Sequence, residues 1–196
     1  MTYETRSESL LHLRRSDTSV VLDLGQGQFP CVLHWGPDLG ELSTAALAEL
    51  HRALTIPFVD SVISSQNRVA LLPLHSSGWL GRPGLTGSRA GRAWSTSFTQ
   101  VDHEVQEAGG AQWPDGPAGA VRVVSTGHDV PDGVVVTTEF EMHPSGMVRL
   151  RSCVQNVGAD EFEITGLLPA LPVPPEATEL LDMAGRHTRE RTPQRR

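Results

Sequence analysis

Residues 134–156 read VVVTTEFEMHPSGMVRLRSCVQN, and this stretch decides the fold. Hydrophobic and polar side chains alternate along both halves, and a period of two is that of a β-strand with one buried face. Between the halves stands His143-Pro144-Ser145-Gly146, whose Pro and Gly stop one strand and start the next. The sequence therefore predicts a β-hairpin with strands over residues 134–142 and 147–156.

The alternation also separates the two faces of the first strand. Glu139 and Glu141 lie on one face, where they can meet Arg149 or Arg151 across the ladder. Such exposed pairs contribute a few tenths of a kcal/mol at most. The opposite face is the predicted core face and consists of Val134, Val136, Thr138, Phe140 and Met142.

Comparable short segments recur at residues 19–24, 31–35, 93–100, 121–124 and 161–166, as in antiparallel sheets packed as a sandwich. Within residues 93–100, Trp94, Thr96 and Phe98 form the buried side of a half-buried strand. One helix is predicted near residues 43–54, where apolar residues recur at helical spacing behind Ser43, a candidate N-cap. Pro57 prevents much continuation. The predicted fold class is therefore mainly β: an antiparallel β-sandwich with one helix.

The C-terminal part has a different character. Residues 167–175 read LLPALPVPP, which cannot form a central strand because proline lacks the amide that a ladder needs. We expect an extended crossing segment there and a strand at residues 177–181. Residues 185–196, GRHTRERTPQRR, are polar and strongly basic.

Composition excludes several classes of function. The formal charge of -7 argues against nucleic-acid partners, because the attraction to phosphate is missing overall. No run approaches the roughly 18 apolar residues of a membrane helix. The N-terminus carries only Leu10-Leu11 among charged residues, which is not a secretory signal, so a cytoplasmic protein is expected. Cys31 and Cys153 stand singly in strand-like runs and are predicted to be free, buried thiols.

No catalytic or metal-binding motif is recognisable. Glycoside hydrolysis usually needs two carboxylates held across the bond, and none of the acidic residues carries such a signature. His128-Asp129 and Asp102-His103-Glu104 lack a second histidine at ligand spacing, so no metal site is predicted. Gly-x-Ser-x-Gly and phosphate-binding glycine loops are missing, and no cofactor is expected. The carboxylates considered, for which solvated or turn roles are favoured, are Asp38, Asp60, Asp102, Glu104, Asp129, Asp132 and Glu139.

The most informative stretch is residues 74–92, LHSSGWLGRPGLTGSRAGR. It is long for a connection without structure of its own, and such loops are often functional. Trp79 can offer a flat apolar face to a sugar ring, and arginine offers fixed donors to hydroxyl groups. Alternatively, Trp79 closes the edge of the sandwich. The sequence favours neither role over the other.

At this loop, and at residues 32–40, VLHWGPDLG, the sequence resembles the N-terminal region of glycoside hydrolase family 36, the melibiase-type α-galactosidases. Residues 180–195, LLDMAGRHTRERTPQR, are similar to another stretch of that region. The resemblance implies a β-supersandwich of the galactose-mutarotase type, placed ahead of a (β/α) barrel. In the family that barrel holds both catalytic aspartates and cleaves terminal α-galactosides with retention.

The resemblance also implies a substrate-binding role for Trp79 and Arg82. In the family a loop of the sandwich can reach the galactose pocket, in some members from a neighbouring subunit. Many members have an acidic residue shortly before the arginine, whereas this chain has Leu80-Gly81. By this resemblance residues 1–196 form a partial N-terminal domain, incomplete at its C-terminus, with the barrel and every catalytic residue absent.

Three functional hypotheses follow. The first is the N-terminal part of an α-galactosidase that supports a homo-oligomer and caps the sugar pocket of its own or a neighbouring barrel, without turnover. The second is a freestanding carbohydrate-binding or interaction module that uses the Trp79 loop. The third is a mutarotase-like epimerase, which needs His75, His103 or His128 beside a carboxylate. Unpaired strand edges in an incomplete sandwich would also favour dimerisation or aggregation.

Overall fold

The computed structural model describes residues 3–6, 9–25, 27–55, 69–174 and 176–196, so Pro57 and Asp60 lie outside the described residues. Two four-stranded antiparallel sheets dominate the fold. The first sheet runs in the order β1 (Tyr3–Arg6), β2 (Leu10–Arg15), β3 (Thr18–Asp23), β4 (Cys31–Pro37). Further along the chain come α1 (Thr44–Leu54) and β5 (Leu85–Ser88). The second sheet runs in the order β6 (Gln100–Glu107), β7 (Val121–Asp129), β8 (Val134–Met142), β9 (Val148–Asn156).

The described residues also form two separate two-stranded ribbons. The strand β10 (Glu163–Leu167) pairs antiparallel with β5. The strands β11 (Leu181–Arg186) and β12 (Arg189–Arg195) pair with each other. The mainly β prediction is therefore confirmed.

The two large sheets face each other across the main core, which makes the fold a sandwich. The central cluster combines Leu11, Leu13, Val20 and Leu22 of the first sheet with Val121, Val123, Phe140 and Met142 of the second. Burying one Leu, Val, Phe or Met side chain of this kind stabilises the fold by about 1.5 to 3 kcal/mol.

The predicted hairpin is β8 and β9. All five residues of the predicted core face are buried, and Gly146 adopts the positive φ of +84° that its turn requires. Glu139 stands opposite Arg151 and Glu141 opposite Arg149, and both pairs form salt bridges. Glu141 departs from the alternation because it is only 1% exposed, although it lies on the outer face.

The helix α1 begins where the sequence places it. The Ser43 hydroxyl accepts a hydrogen bond from the amide of Ala46 at 3.2 Å, which confirms the N-cap. Leu47 packs on Leu10 and Val21, on the face of the first sheet turned away from the main core. The helix therefore covers the outer face of this sheet rather than an edge or an end of the sandwich. Because both faces of β3 are covered, its sequence is apolar at consecutive positions.

The predicted strand over residues 93–100 is wrong. Only Gln100 belongs to a strand, and Trp94 is 72% exposed instead of buried. Ala93 has a φ of +56°, and the amide of Ser97 donates to the Asp129 carboxylate at 2.7 Å rather than to a ladder carbonyl. Thr96 and Phe98 are buried as predicted.

Other departures concern positions with weak sequence patterns. The strands β1, β2, β5 and β12 were not expected, and β6 shares only Gln100 with a predicted strand. The strand predicted at residues 177–181 shares only Leu181 with β11. Both cysteines are thiols, but Cys153 is exposed because it lies on the outer, arginine-bearing face of β9. Its prediction as a buried thiol is therefore wrong, whereas Cys31 is buried.

Candidate functional site

The Trp79 loop begins with a 3₁₀ turn, His75–Ser77, that ends at Gly78. The indole of Trp79 then folds back over Gly81, where an added Cβ would lie 2.7 Å from the ring. The indole Nε1 donates to the carbonyl oxygen of Arg82 at 3.0 Å, and His75 Nε2 lies 3.1 Å from the Gly81 carbonyl oxygen. These contacts close residues 75–82 into a compact loop that only glycine at position 81 permits.

The closed loop gives its two predicted site residues different roles. Trp79 is half-buried and covers its own loop, so its apolar face is partly occupied. Arg82 is exposed and forms no ion pair with any residue that the structure describes. Leu80 beside it is 75% exposed. Trp79 therefore supports the loop, and the Arg82 guanidinium is exposed to solvent.

The loop is also less irregular than its sequence suggests. Its second half forms β5, which pairs with β10, and Leu85 anchors it in the core. The backbones of Arg89 and Arg92 then exchange two hydrogen bonds, at 2.7 and 2.9 Å. The Arg82 segment is thus held between the 3₁₀ turn and a strand, so its backbone is constrained from both sides.

Among the acidic residues considered, Asp129 is the buried one within the described segments. Asp129 is buried, and its two oxygens accept backbone amides of Ser97 and Asp132 at 2.7 and 3.1 Å. Burial, followed by the neighbouring Asp129 charge, raises the pKa of Asp132. Asp129 therefore shapes the turn between β7 and β8, which is the structural role that the sequence favours.

A partly buried polar network lies on the outer face of the first sheet, and sequence reasoning missed it. The Ser19 hydroxyl donates to Asp38 at 2.9 Å and accepts the Leu39 amide at 3.0 Å, while His12 Nε2 lies 2.9 Å from Ser19 Oγ. Arg14 binds the Asp38 carboxylate through two nitrogens and holds the pKa of that group well below its usual range.

Ser19, His12 and Asp38 are the residue types of a serine-histidine-aspartate catalytic triad, but they contact one another in a different order. In a catalytic triad the histidine stands between serine and carboxylate, whereas here the Ser19 hydroxyl stands between His12 and Asp38. His12 and Ser19 are fully buried, so no substrate reaches them. Burial lowers the pKa of His12 to about 4, and the imidazole is neutral at physiological pH. The network therefore fixes β2, β3 and the segment after β4.

The histidines singled out for an epimerase have other contacts. His75 contacts a carbonyl oxygen, His103 Nδ1 lies 2.9 Å from Ser125 Oγ, and His128 is exposed. The buried carboxylates that do meet histidine are Asp23, 3.2 Å from His51, and Glu141, 2.6 Å from His143. These contacts give the epimerase hypothesis no support.

The His51–Asp23 pair borders a cavity of about 600 Å³. Phe29 and Phe98 meet edge to face in its wall, with centroids 5.5 Å apart, and Ser77 adds a hydroxyl. No sequence motif marks this cavity because its lining comes from distant segments. Within the same described ranges, no cluster of three His, Cys, Asp or Glu side chains could hold a metal ion. Nor does that part of the chain contain a helix long and apolar enough to cross a membrane.

Several solved structures of α-galactosidases contain a similar fold. A variant of the family 36 α-galactosidase AgaA from Geobacillus stearothermophilus, in complex with 1-deoxygalactonojirimycin, superposes with a TM-score of 0.70 at 17% identity, over 94% of this chain and 27% of that one. The α-galactosidase from Lactobacillus brevis gives a TM-score of 0.69 at 16% identity, over 94% and 26%. At such identities the likeness shows the fold alone.

Sequence comparison identifies the family. The α-galactosidase of Escherichia coli is 28% identical over 164 residues, which cover 84% of this chain and 21% of that protein. The chain thus spans about a fifth of the length of this curated relative. The family model described as the glycosyl hydrolase family 36 N-terminal domain matches residues 28–196. The chain therefore belongs to the family of glycosyl hydrolase family 36 N-terminal domains.

Proposed function

We propose that this chain is the N-terminal part of an enzyme that hydrolyses terminal α-galactosides. In this proposal residues 1–196 are a partial domain that supports an oligomer and caps the sugar pocket of a barrel in its own or a neighbouring subunit. The chain has no turnover of its own. The observation that carries the proposal is the exposed Arg82 on a pre-organised loop, within a domain of this family.

The chemistry of the loop fits a sugar ligand. A guanidinium group presents five N–H donors in a fixed plane, and hydroxyl oxygens of a galactoside accept such hydrogen bonds. Trp79 contributes indirectly, because its bond to the Arg82 carbonyl fixes the backbone that carries the guanidinium. Many members of the family that this sequence resembles have an acidic residue shortly before the arginine. This chain has Leu80-Gly81 there, so no carboxylate directly before Arg82 offsets its charge.

The first test is the activity of the purified chain. We expect no release of phenol from an aryl α-galactoside above the uncatalysed blank, because the buried carboxylates of the described segments, Asp23, Asp129 and Glu141, are held by backbone amides, histidine or arginine. Hydrolysis that survives repeated purification would contradict the proposal.

The second test concerns Arg82 and begins with the gene beyond the codon for Arg196. If a barrel follows in frame, Arg82→Ala in that longer protein should lower kcat/KM for melibiose about tenfold to a hundredfold, the value of a charge-assisted hydrogen bond. Arg92→Ala, at another exposed arginine of the same region, is the matched control and should change little. Equal effects of both substitutions would refute the capping role.

One observation favours the freestanding carbohydrate-binding module as a second candidate. Trp94 is 72% exposed and follows a turn in which Ala90 and Ala93 have positive φ values of 49° and 56°. An exposed indole on a constrained backbone can stack on a sugar ring. A natural stop after Arg196, with melibiose binding that Trp94→Ala abolishes, would favour this function.

A cytoplasmic location is part of the proposal. It rests on the charged N-terminal sequence around Leu10-Leu11. Fractionation of the host cell tests it, and recovery of the protein outside the cytoplasm would contradict it.

A further inference from the structure

The charge of this acidic chain is unevenly distributed along the sequence. Residues 61–101 contain four arginines and no aspartate or glutamate. The rest of the chain contains 12 arginines and 23 carboxylates, a side-chain charge of -11. Positive charge is therefore concentrated in the segment that includes the Trp79 loop, and such a segment attracts anions more strongly than the remainder of the chain.

Within this segment two guanidinium groups lack a protein partner. Among the described residues from 9 to 180, seven of nine arginine side chains form hydrogen bonds or ion pairs, and the exceptions are Arg82 and Arg92. Both are exposed. Arg82 has the more constrained backbone, because its carbonyl oxygen accepts the Trp79 indole at 3.0 Å and the Gly81 carbonyl oxygen lies 3.1 Å from His75 Nε2.

The strand register also keeps carboxylates away from Arg82. The only acid of β10, Glu163, lies opposite Ser88, at the end of β5 that is farther along the chain from Arg82. At the nearer end, the amide of Leu168 donates to the carbonyl oxygen of Gly84 at 2.7 Å. Leu168 is 43% exposed. The segment that runs past the base of the Arg82 loop therefore contributes an apolar side chain and no counter-charge.

The chemistry of the guanidinium identifies the group that fits it best. A guanidinium binds a carboxylate through two parallel hydrogen bonds between opposite charges, whereas a neutral hydroxyl offers one oxygen and no charge. Leu80, which is 75% exposed, and Leu168 place apolar surface near the loop. Apolar surroundings strengthen the attraction between opposite charges, because the local dielectric constant is lower than that of water.

We infer that Arg82 selects α-galactosides that carry a carboxylate group over neutral α-galactosides. The inference rests on the proposed contact between Arg82 and the sugar, and it adds the charge of the preferred ligand. A neutral galactoside still binds through its hydroxyl groups, but it leaves the positive charge of Arg82 without a partner.

NMR titration of the 196-residue chain, labelled with ¹⁵N-arginine, tests this preference. The two probes are methyl α-galacturonide and methyl α-galactoside, which differ in the carboxylate. We expect the galacturonide to shift the Arg82 Nε–Hε resonance and to bind at least about tenfold more tightly than the neutral sugar. Added salt should weaken binding of the galacturonide more than binding of the neutral sugar, because screening reduces attraction between exposed charges.

Two variants make the comparison specific. Arg82→Gln keeps hydrogen-bond donors but removes the charge, so it should abolish the preference for the galacturonide. Arg92→Gln is the matched control, because Arg92 is also exposed and without a partner among the described residues, and it should retain the preference. Amide spectra confirm that each variant is folded.

The outcomes separate this inference from the proposed function. Equal affinity for the two sugars, lost in both cases in Arg82→Gln, would overturn the inference and leave the sugar contact of Arg82 in place. A preference that persists in Arg82→Gln, or that Arg92→Gln removes equally, would overturn the inference because it would mean unspecific attraction to basic surface. Binding of neither sugar would overturn both the inference and the contact on which it rests.

Discussion

Replacing His12 by glutamine should reduce the fall in the free energy of unfolding between pH 7 and pH 4. Burial lowers the pKa of His12 to about 4 from the ordinary 6.5. Between these values the unfolded chain binds a proton that the folded protein does not, so the free energy of unfolding falls as pH falls. The loss attributable to this one group is about 2 kcal/mol at pH 5 and about 3 kcal/mol at pH 4, at about 1.4 kcal/mol per unit of pKa.

Glutamine is the appropriate replacement because its amide can still donate to Ser19 Oγ, and it does not titrate. Urea unfolding of both proteins between pH 7 and pH 4 gives the comparison. The unaltered chain should lose about 3 kcal/mol more than His12→Gln over this interval, whatever their difference at pH 7. His187→Gln is the control, because His187 lies exposed in the turn between β11 and β12.

Parallel stability curves for the unaltered chain and His12→Gln would refute the reasoning. They would mean that the buried imidazole accepts a proton in the folded state as easily as in the unfolded one. A difference in the free energy of unfolding that is present at pH 7 and does not change down to pH 4 would have the same meaning, since it would not depend on protonation of His12.

Three further outcomes follow from the structure. Arg89 donates to the carbonyl oxygens of two separate turns, so Arg89→Ala should lower the free energy of unfolding by about 1 to 3 kcal/mol in urea titrations, and Arg89→Lys should not restore it. Gly81→Ala should displace the indole of Trp79, seen as a shifted resonance in fluorine NMR of fluorotryptophan-labelled protein; an unmoved signal would contradict the close contact. Cys153 should react with a thiol reagent in the folded chain, whereas Cys31 should react only after unfolding.

The elements that sequence predicted correctly are those whose pattern and turn chemistry agree. The hairpin of β8 and β9 combines a period of two with a Pro and Gly turn, and Ser43 precedes a run with helical spacing. Both signals are local, and tertiary contacts reinforce them. The strand expected at residues 93–100 had the same alternation, but the Ser97 amide is taken by Asp129, a residue 32 positions away. No local pattern contains that contact.

The candidate site was also predicted only in part from the sequence. Sequence reasoning placed Trp79 and Arg82 in one loop, and the structure brings them together through the bond between the indole and the Arg82 carbonyl. It could not show that the indole faces Gly81 instead of solvent, because side-chain direction in a loop depends on φ and ψ that composition does not encode. The ribbon of β11 and β12 was missed because charged strands without a buried face carry no alternation of hydrophobicity.

The contacts of the carboxylates support the proposal that this chain takes part in recognition without turnover. Asp129 is saturated by backbone amides, Asp38 by Arg14 and Ser19, and Glu141 lies between His143 and Arg149. A carboxylate that is held in this way is geometrically fixed, so it is poorly placed to act on a glycosidic bond. An exposed guanidinium needs no such change of state to bind a sugar hydroxyl. Function in this part of the molecule is therefore expected from exposed arginine and apolar surfaces, and the buried acids serve the fold that positions them.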